Sequence, residues 1–198
     1  MNDRSAVATK FLTRPILEAS QVRERPSPLP AARGVYGWWF DNVPPGVPIE
    51  GCERRGPWTL LYVGISPKRP PTNGKRPSSQ NIRSRIRYHC RGNAAGSTLR
   101  LTLGVLLSSE LDIELRRVGS GSRYTFSVGE QRLTDWIAAH GRVGFVTHPE
   151  PWLLEEELIT SLSLPLNLDQ NGHPFRPTLS ALRGAARASA AALPVLPR

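Results

Sequence analysis

The sequence predicts an α+β fold: a small central antiparallel sheet of about three strands flanked by helices, with an irregular N-terminal arm and a helical, frayed C-terminal tail. Three observations lead there. Of 198 residues, 39% are apolar and 36 are Pro or Gly, which points to one modest core with long irregular connections. β-branched and aromatic runs of strand length occur at two places early in the chain and one late. Between and after them, apolar residues recur at helical spacing.

Residues 1–30 are mixed in character and end in the Pro-rich stretch Pro26 to Pro30, so they read as an arm without regular structure. A central domain over 31–170 follows, and then an extension over 171–198. RGVYGWWF, residues 33–40, reads as a strand. Residues 41–58 hold four prolines and three glycines and read as a loop. TLLYVGI, residues 59–65, is a second strand that would pair with the first. Residues 67–79 form another loop, basic and Pro-rich.

Asn81 to Arg91 reads as a helix, capped by Ser79 or a neighbour and stopped by Gly92-Asn93. Ser97 to Leu107 reads as a second helix with Leu99, Leu103 and Leu106 on one stripe. Residues 111–128 look extended, broken at Gly119 to Ser122. Glu130 to His140 is helical, with Leu133, Trp136 and Ile137 facing inward. Arg142 to His148 alternates as a strand through Val143, Phe145 and Thr147. Pro151 to Ser163 is a helix opened by proline. A short helical pattern, Leu179 to Ala186, precedes an Ala-rich end expected to fray.

Charge is unevenly placed. The net charge is +10, from 26 basic and 16 acidic side chains. Residues 54–109 contain no acid and eleven basic residues, whereas the rest of the chain nets −1. A block of that kind attracts polyanions, nucleic acid above all. No apolar run approaches a membrane span. The first twenty residues lack the apolar core of a secretory leader, and two unpaired cysteines, Cys52 and Cys90, suit a reducing cytoplasm.

Chemistry-bearing residues cluster at three places. Gly34-Val35-Tyr36 and Tyr62-Val63-Gly64 end the two early strands, with 25 residues between the tyrosines. On the first helix, Ile82, Arg85, Ile86 and His89 share one face, so a guanidinium lies on a core-facing stripe and needs a partner there. On the late helix, Leu158, Ile159 and Leu162 define the buried stripe. Glu155 lies three, four and seven residues before them, on the same face, while Glu156 and Glu157 turn away. Glu155 is therefore the best metal-ligand candidate, and Glu156 the second. Arg91 to Arg100, RGNAAGSTLR, sets small residues beside two arginines and reads equally as a phosphate-binding turn or as a plain helix–helix connection. A Ser-nucleophile elbow, a phosphate-binding P-loop and zinc spacing are all missing from the sequence.

In that order, these elements resemble the GIY-YIG nucleases, with Val in place of Ile in both triplets. The resemblance spans about residues 33 to 168. It implies adjacent antiparallel strands with Tyr36 and Tyr62 meeting over an active site, Arg85 aimed at the scissile phosphate, and His89 beside it. It also implies a metal-binding Glu155 and an Asn at Asn167, within Pro165-Leu166-Asn167. The connection between the triplets is longer here than the short hairpin common in the family. The expected activity is a metal-dependent endonuclease using one Mg²⁺ (or Mn²⁺). Tyr36 would take a proton from the attacking water, Tyr62 would hold it, and Arg85 would stabilise the transition state. The expected partner is double-stranded DNA, with Arg83, Arg87, Arg91, Arg100, Lys75 and Arg76 as contacts. The alternatives are a silent nucleic-acid-binding descendant and a basic adaptor.

Overall fold

Both early aromatic runs are strands, and they lie side by side at the centre of the molecule. The computed structural model describes residues 5–74 and 76–197, so Lys75 lies outside the described residues. In chain order the elements are α1 (Ala6–Thr13), β1 (Leu17–Glu18), α2 (Ala19–Val22), β2 (Gly34–Phe40), β3 (Arg54–Arg55) and β4 (Trp58–Ser66). Then come α3 (Ile82–Arg91), a single 3-10 turn (Ala94–Gly96), α4 (Thr98–Leu106), β5 (Arg116–Val118) and β6 (Arg123–Thr125). Last are α5 (Gly129–His140), β7 (Gly141–Thr147), α6 (Pro151–Ser161) and α7 (Arg176–Ala192).

The sheet has five strands in the order β1-β7-β2-β4-β3, not the three expected. Its body is the antiparallel trio β7-β2-β4, and two-residue strands close each edge. Those short strands carry too few residues for any periodicity to reveal. β2 is buried along its whole length because both faces are covered. Tyr36, Trp38 and Phe40 meet one apolar layer, with Ile82, Ile86, Leu133 and Ile137. Val35 and Trp39 meet the other, with Phe11 of α1 and Leu154 and Leu158 of α6. Thr147, expected to face inward on β7, is exposed.

The long connection between the triplets leaves the register intact. β3 turns back onto β4 through Gly56, whose φ of +56° suits glycine. β2 and β4 then pair with Tyr36 opposite Gly64. Between Trp38 and Trp39 the pairing jumps from Tyr62 to Leu60, so Leu61 is an extra residue in a bulge. That turns both Leu61 and Tyr62 toward the layer that holds Tyr36. The Leu61 carbonyl accepts instead from the Leu166 N–H, at 3.1 Å.

The arm is structured, contrary to expectation. Ser5 caps α1, accepting from the Ala8 N–H, and its own N–H and Oγ–H donate to Glu157 at 3.0 and 2.9 Å. Phe11 is buried, and β1 pairs with β7. The tail also departs from the sequence reading, since α7 runs 17 residues without fraying. Alanine is the best helix former, and Arg117 of β5 donates to the carbonyls of Ala190, Ala191 and Leu193 that the helix end leaves open. Leu179 and Ala190 are fully buried. Among the described residues, no helix is long and apolar enough to cross a membrane.

Candidate active site

The two triplets need their glycines for different reasons. A Cβ on Gly34 would run into the Val146 carbonyl of β7. A Cβ on Gly64 would lie 2.7 Å from the Tyr36 hydroxyl, so the phenol occupies the space that glycine leaves open. Tyr36 is thereby laid across β4, beside Tyr62.

α3 supplies the partners of that phenol. Asn81 and Ser84 cap it with a reciprocal pair of hydrogen bonds, so the cap is Asn81 rather than Ser79. The helix face read from the sequence is correct: Ile82 and Ile86 are fully buried, and Arg85 and His89 stand over Tyr36. Arg85 Nε donates to the Tyr36 hydroxyl at 3.4 Å, and its Nη1 donates to the Gly96 carbonyl at 2.7 Å. This carbonyl and phenol are the partners that the stripe demanded for the guanidinium.

His89 lies behind Tyr36, fully buried, with Nε2 2.8 Å from the phenol oxygen and Nδ1 2.7 Å from Ser97 Oγ. Burial holds the imidazole well below its usual pKa, helped by Arg85 and Arg100, so it rests neutral. Desolvation also raises the Tyr36 phenol, although Arg85 pulls it down by charge and hydrogen bond. A neutral phenol donates its proton to one of two neighbours, the His89 imidazole or the Tyr62 hydroxyl. In the tautomer with a bare Nε2, the Tyr36 O–H donates to that nitrogen and Nδ1–H donates to Ser97 Oγ. Ser97, within the GNAAGSTLR stretch, caps α4 with the same oxygen. The Tyr62 phenol is raised well above its ordinary value by desolvation and by neighbouring Tyr36.

α6 places Glu155 at the cleft. Its neighbours have other tasks: Glu156 is exposed and 3.5 Å from Arg69, and Glu157 anchors α1. The Glu155 carboxyl has no protein hydrogen bond among the described residues. Desolvation pushes it up to about 7, with Lys68 lowering it and Asp169 raising it. A half-buried carboxylate without a protein donor suits a hard cation that keeps water ligands. Among the described residues, no group of three or more His, Cys, Asp or Glu forms a ready metal cage. Asp169 is the other carboxylate lining the cleft, and water and substrate would complete the ligand set.

Asn167 follows α6 in the Pro165-Leu166-Asn167 turn. Its Oδ1 accepts from the Val63 N–H at 2.9 Å, and its Nδ2 donates to the Val63 carbonyl at 2.8 Å. It grips the residue between Tyr62 and Gly64 and so positions the second triplet.

Tyr36, Tyr62, Arg85, Glu155 and Asn167 all line one cleft of about 850 Å³. The expected DNA contacts do not share a surface. Arg76 and Arg91 are exposed. Arg83 donates to the Leu29 carbonyl at 2.6 Å, and Arg87 to the carbonyls of Val22 and Glu24, so both hold the N-terminal arm. Arg100 is not on the surface at all. It is fully buried, 2.7 Å from Glu130 and 3.1 Å from the His89 carbonyl. Sequence reasoning missed Ser97 as the His89 partner, and also Lys68, Asp169, Arg183 and Arg187, which line the cleft. The Arg91 to Arg100 motif was the only sign of Ser97.

A tyrosine pair, an arginine and the carboxylates Glu155 and Asp169 line one open cleft, an arrangement that fits a catalytic domain of nuclease type. The family model for the GIY-YIG catalytic domain matches residues 34–185, and the chain belongs to that family. The matched span reaches into α7. No curated protein and no solved structure matches the chain.

Proposed function

We propose that the protein is a divalent-metal-dependent endonuclease that hydrolyses phosphodiester bonds in double-stranded DNA. The convergence of Tyr36, Arg85 and Glu155 on one cleft carries this reading. A module that only binds has no use for a desolvated carboxylate set opposite an arginine and two phenols. Free Cys52 and Cys90 fit a reducing, cytoplasmic setting.

Glu155 would hold the cation, Mg²⁺ or Mn²⁺, with water and phosphate oxygens. Such an ion, when bound, stabilises the leaving oxygen as a Lewis acid. The chain's own residues do the rest. Arg85 is fixed at two points, so part of its fork is pre-aimed into the cleft, where it meets the charge that develops on the phosphorus oxygens. A contact of this kind is worth about 3 kcal/mol. The Tyr36 oxygen takes a proton from the attacking water as its own proton passes to His89 Nε2, so the water leaves as hydroxide for phosphorus and the imidazole becomes imidazolium. The phenol therefore need not ionise at rest, consistent with its raised pKa. Ser97 fixes the tautomer that leaves Nε2 open, and Asn167 keeps Tyr62 in register to orient the water.

Plasmid nicking tests the proposal. Purified protein with Mg²⁺ or Mn²⁺ nicks supercoiled DNA, and the activity disappears with chelator and in Tyr36→Phe, Arg85→Ala and Glu155→Gln. Salt-sensitive binding without cleavage by the parent protein would replace the nuclease with a silent descendant of the fold.

A further inference from the structure

α7 brings a second pair of cations to the cleft. Arg183 and Arg187 stand four residues apart, one turn of the same helix face, and both line the cavity that holds Tyr36 and Arg85. Arg183 is only 9% exposed, yet its guanidinium makes no hydrogen bond to protein among the described residues, and its Nε has no partner. Burial weakens its hold on its proton and nearby Arg187 adds to that, while Asp169 offsets part of the cost. An uncompensated buried cation costs free energy, and folded chains rarely keep one without a ligand to meet it.

The surroundings name the ligand's charge. Five cationic side chains line the cleft, namely Lys68, Arg69, Arg85, Arg183 and Arg187, against the carboxylates Glu155 and Asp169. Glu155 is itself partly protonated near neutrality. Arginine forks match phosphate oxygens two at a time. Arg85 spends one Nε–H and one Nη1–H on Tyr36 and Gly96, and its three remaining N–H donors suffice for one phosphate without Arg183.

Building on the nuclease reading, we propose that Arg183 and Arg187 seat a second phosphate of the substrate strand, next to the one cut at Arg85. The substrate is then a polynucleotide gripped at two backbone positions, and α7 belongs to the DNA-binding surface.

Arg183→Met and Arg187→Gln test this through the binding of a labelled DNA duplex in EDTA over a salt series. Arg183→Met is expected to weaken binding about tenfold. It should also reduce the salt slope by about one. Arg187→Gln, more exposed, does the same to a smaller degree. In cleavage the loss falls on KM rather than kcat. Arg183→Met melts no lower than the parent, because its guanidinium makes no hydrogen bond among the described residues; a merely structural arginine would lower the melting temperature. Should Arg183→Met fail to fold, the Arg187→Gln salt slope decides. If the parent cuts DNA and both variants bind and cut as it does, the seat falls and the nuclease stands. If the parent binds without cutting and the variants lose affinity, the seat stands and the nuclease falls. A parent that binds no DNA overturns both.

Discussion

Two buried arginines on neighbouring helices, Arg100 on α4 and Arg183 on α7, have opposite circumstances. Arg100 is fully enclosed, with Glu130 at 2.7 Å and carbonyls of His89 and Glu130 completing its bonds. Arg183 is almost as enclosed and has no such partners among the described residues. Burial alone therefore says nothing about function; the presence or absence of an internal partner does. A satisfied guanidinium is a brace, and an unsatisfied one is a socket.

The sharpest way to break that comparison is to remove the partner of Arg100. Glu130→Gln leaves a buried cation uncompensated and should cost roughly 3–5 kcal/mol in denaturant unfolding. Next in size is Arg85→Ala, expected to lower single-turnover cleavage by about 10²–10³-fold with little change in melting temperature. A loss of folding in proportion would make Arg85 a second brace.

Glu155 gives a smaller effect with a distinctive sign. Its carboxyl rises from 4.5 to about 7 on folding. Below the lower value both states are protonated and nothing is lost. Between the two values the unfolded chain releases a proton that the folded one keeps, so stability falls as pH rises, and the whole penalty is present above 7. Glu155→Gln should therefore melt higher than the parent in mildly alkaline buffer, by roughly 1–3 kcal/mol, and match it near pH 4. Added Mg²⁺ should raise the parent's melting temperature and not the variant's. His89 slopes the other way: its depressed pKa makes stability fall as pH drops below 6.5. The smallest effect belongs to Glu156→Gln, which removes an exposed pair with Arg69. It should shift stability by less than about 1 kcal/mol and leave metal dependence intact, whereas a loss of metal dependence would move the ligand from Glu155 to its neighbour.

What could be read from the sequence was what repeats locally. The triplets announced β2 and β4, and the 3.6-residue period put Arg85, His89 and Glu155 on inward faces. Period could not reveal partners distant along the chain. Ser5 and Glu157 are 152 positions apart, and Arg100 and Glu130 are 30 apart. The acid-free block shows the same limit. Counting charge treated its arginines as equivalent, yet Arg83 and Arg87 are spent on carbonyls of the arm and Arg100 on an acid outside the block. The Ala-rich tail looked dispensable because nothing nearby predicted that Arg117 would close its end.

The amide of Asn167 has a consequence beyond holding Tyr62. It offers Val63 one acceptor and one donor, the same pair that a neighbouring strand would present. At that point one side chain takes the place of a sixth strand. No further strand, of this chain or of a second molecule, can pair with β4 at Val63. The stretch of β4 that carries Tyr62 and Gly64 thus keeps its backbone satisfied at that residue without a neighbouring strand.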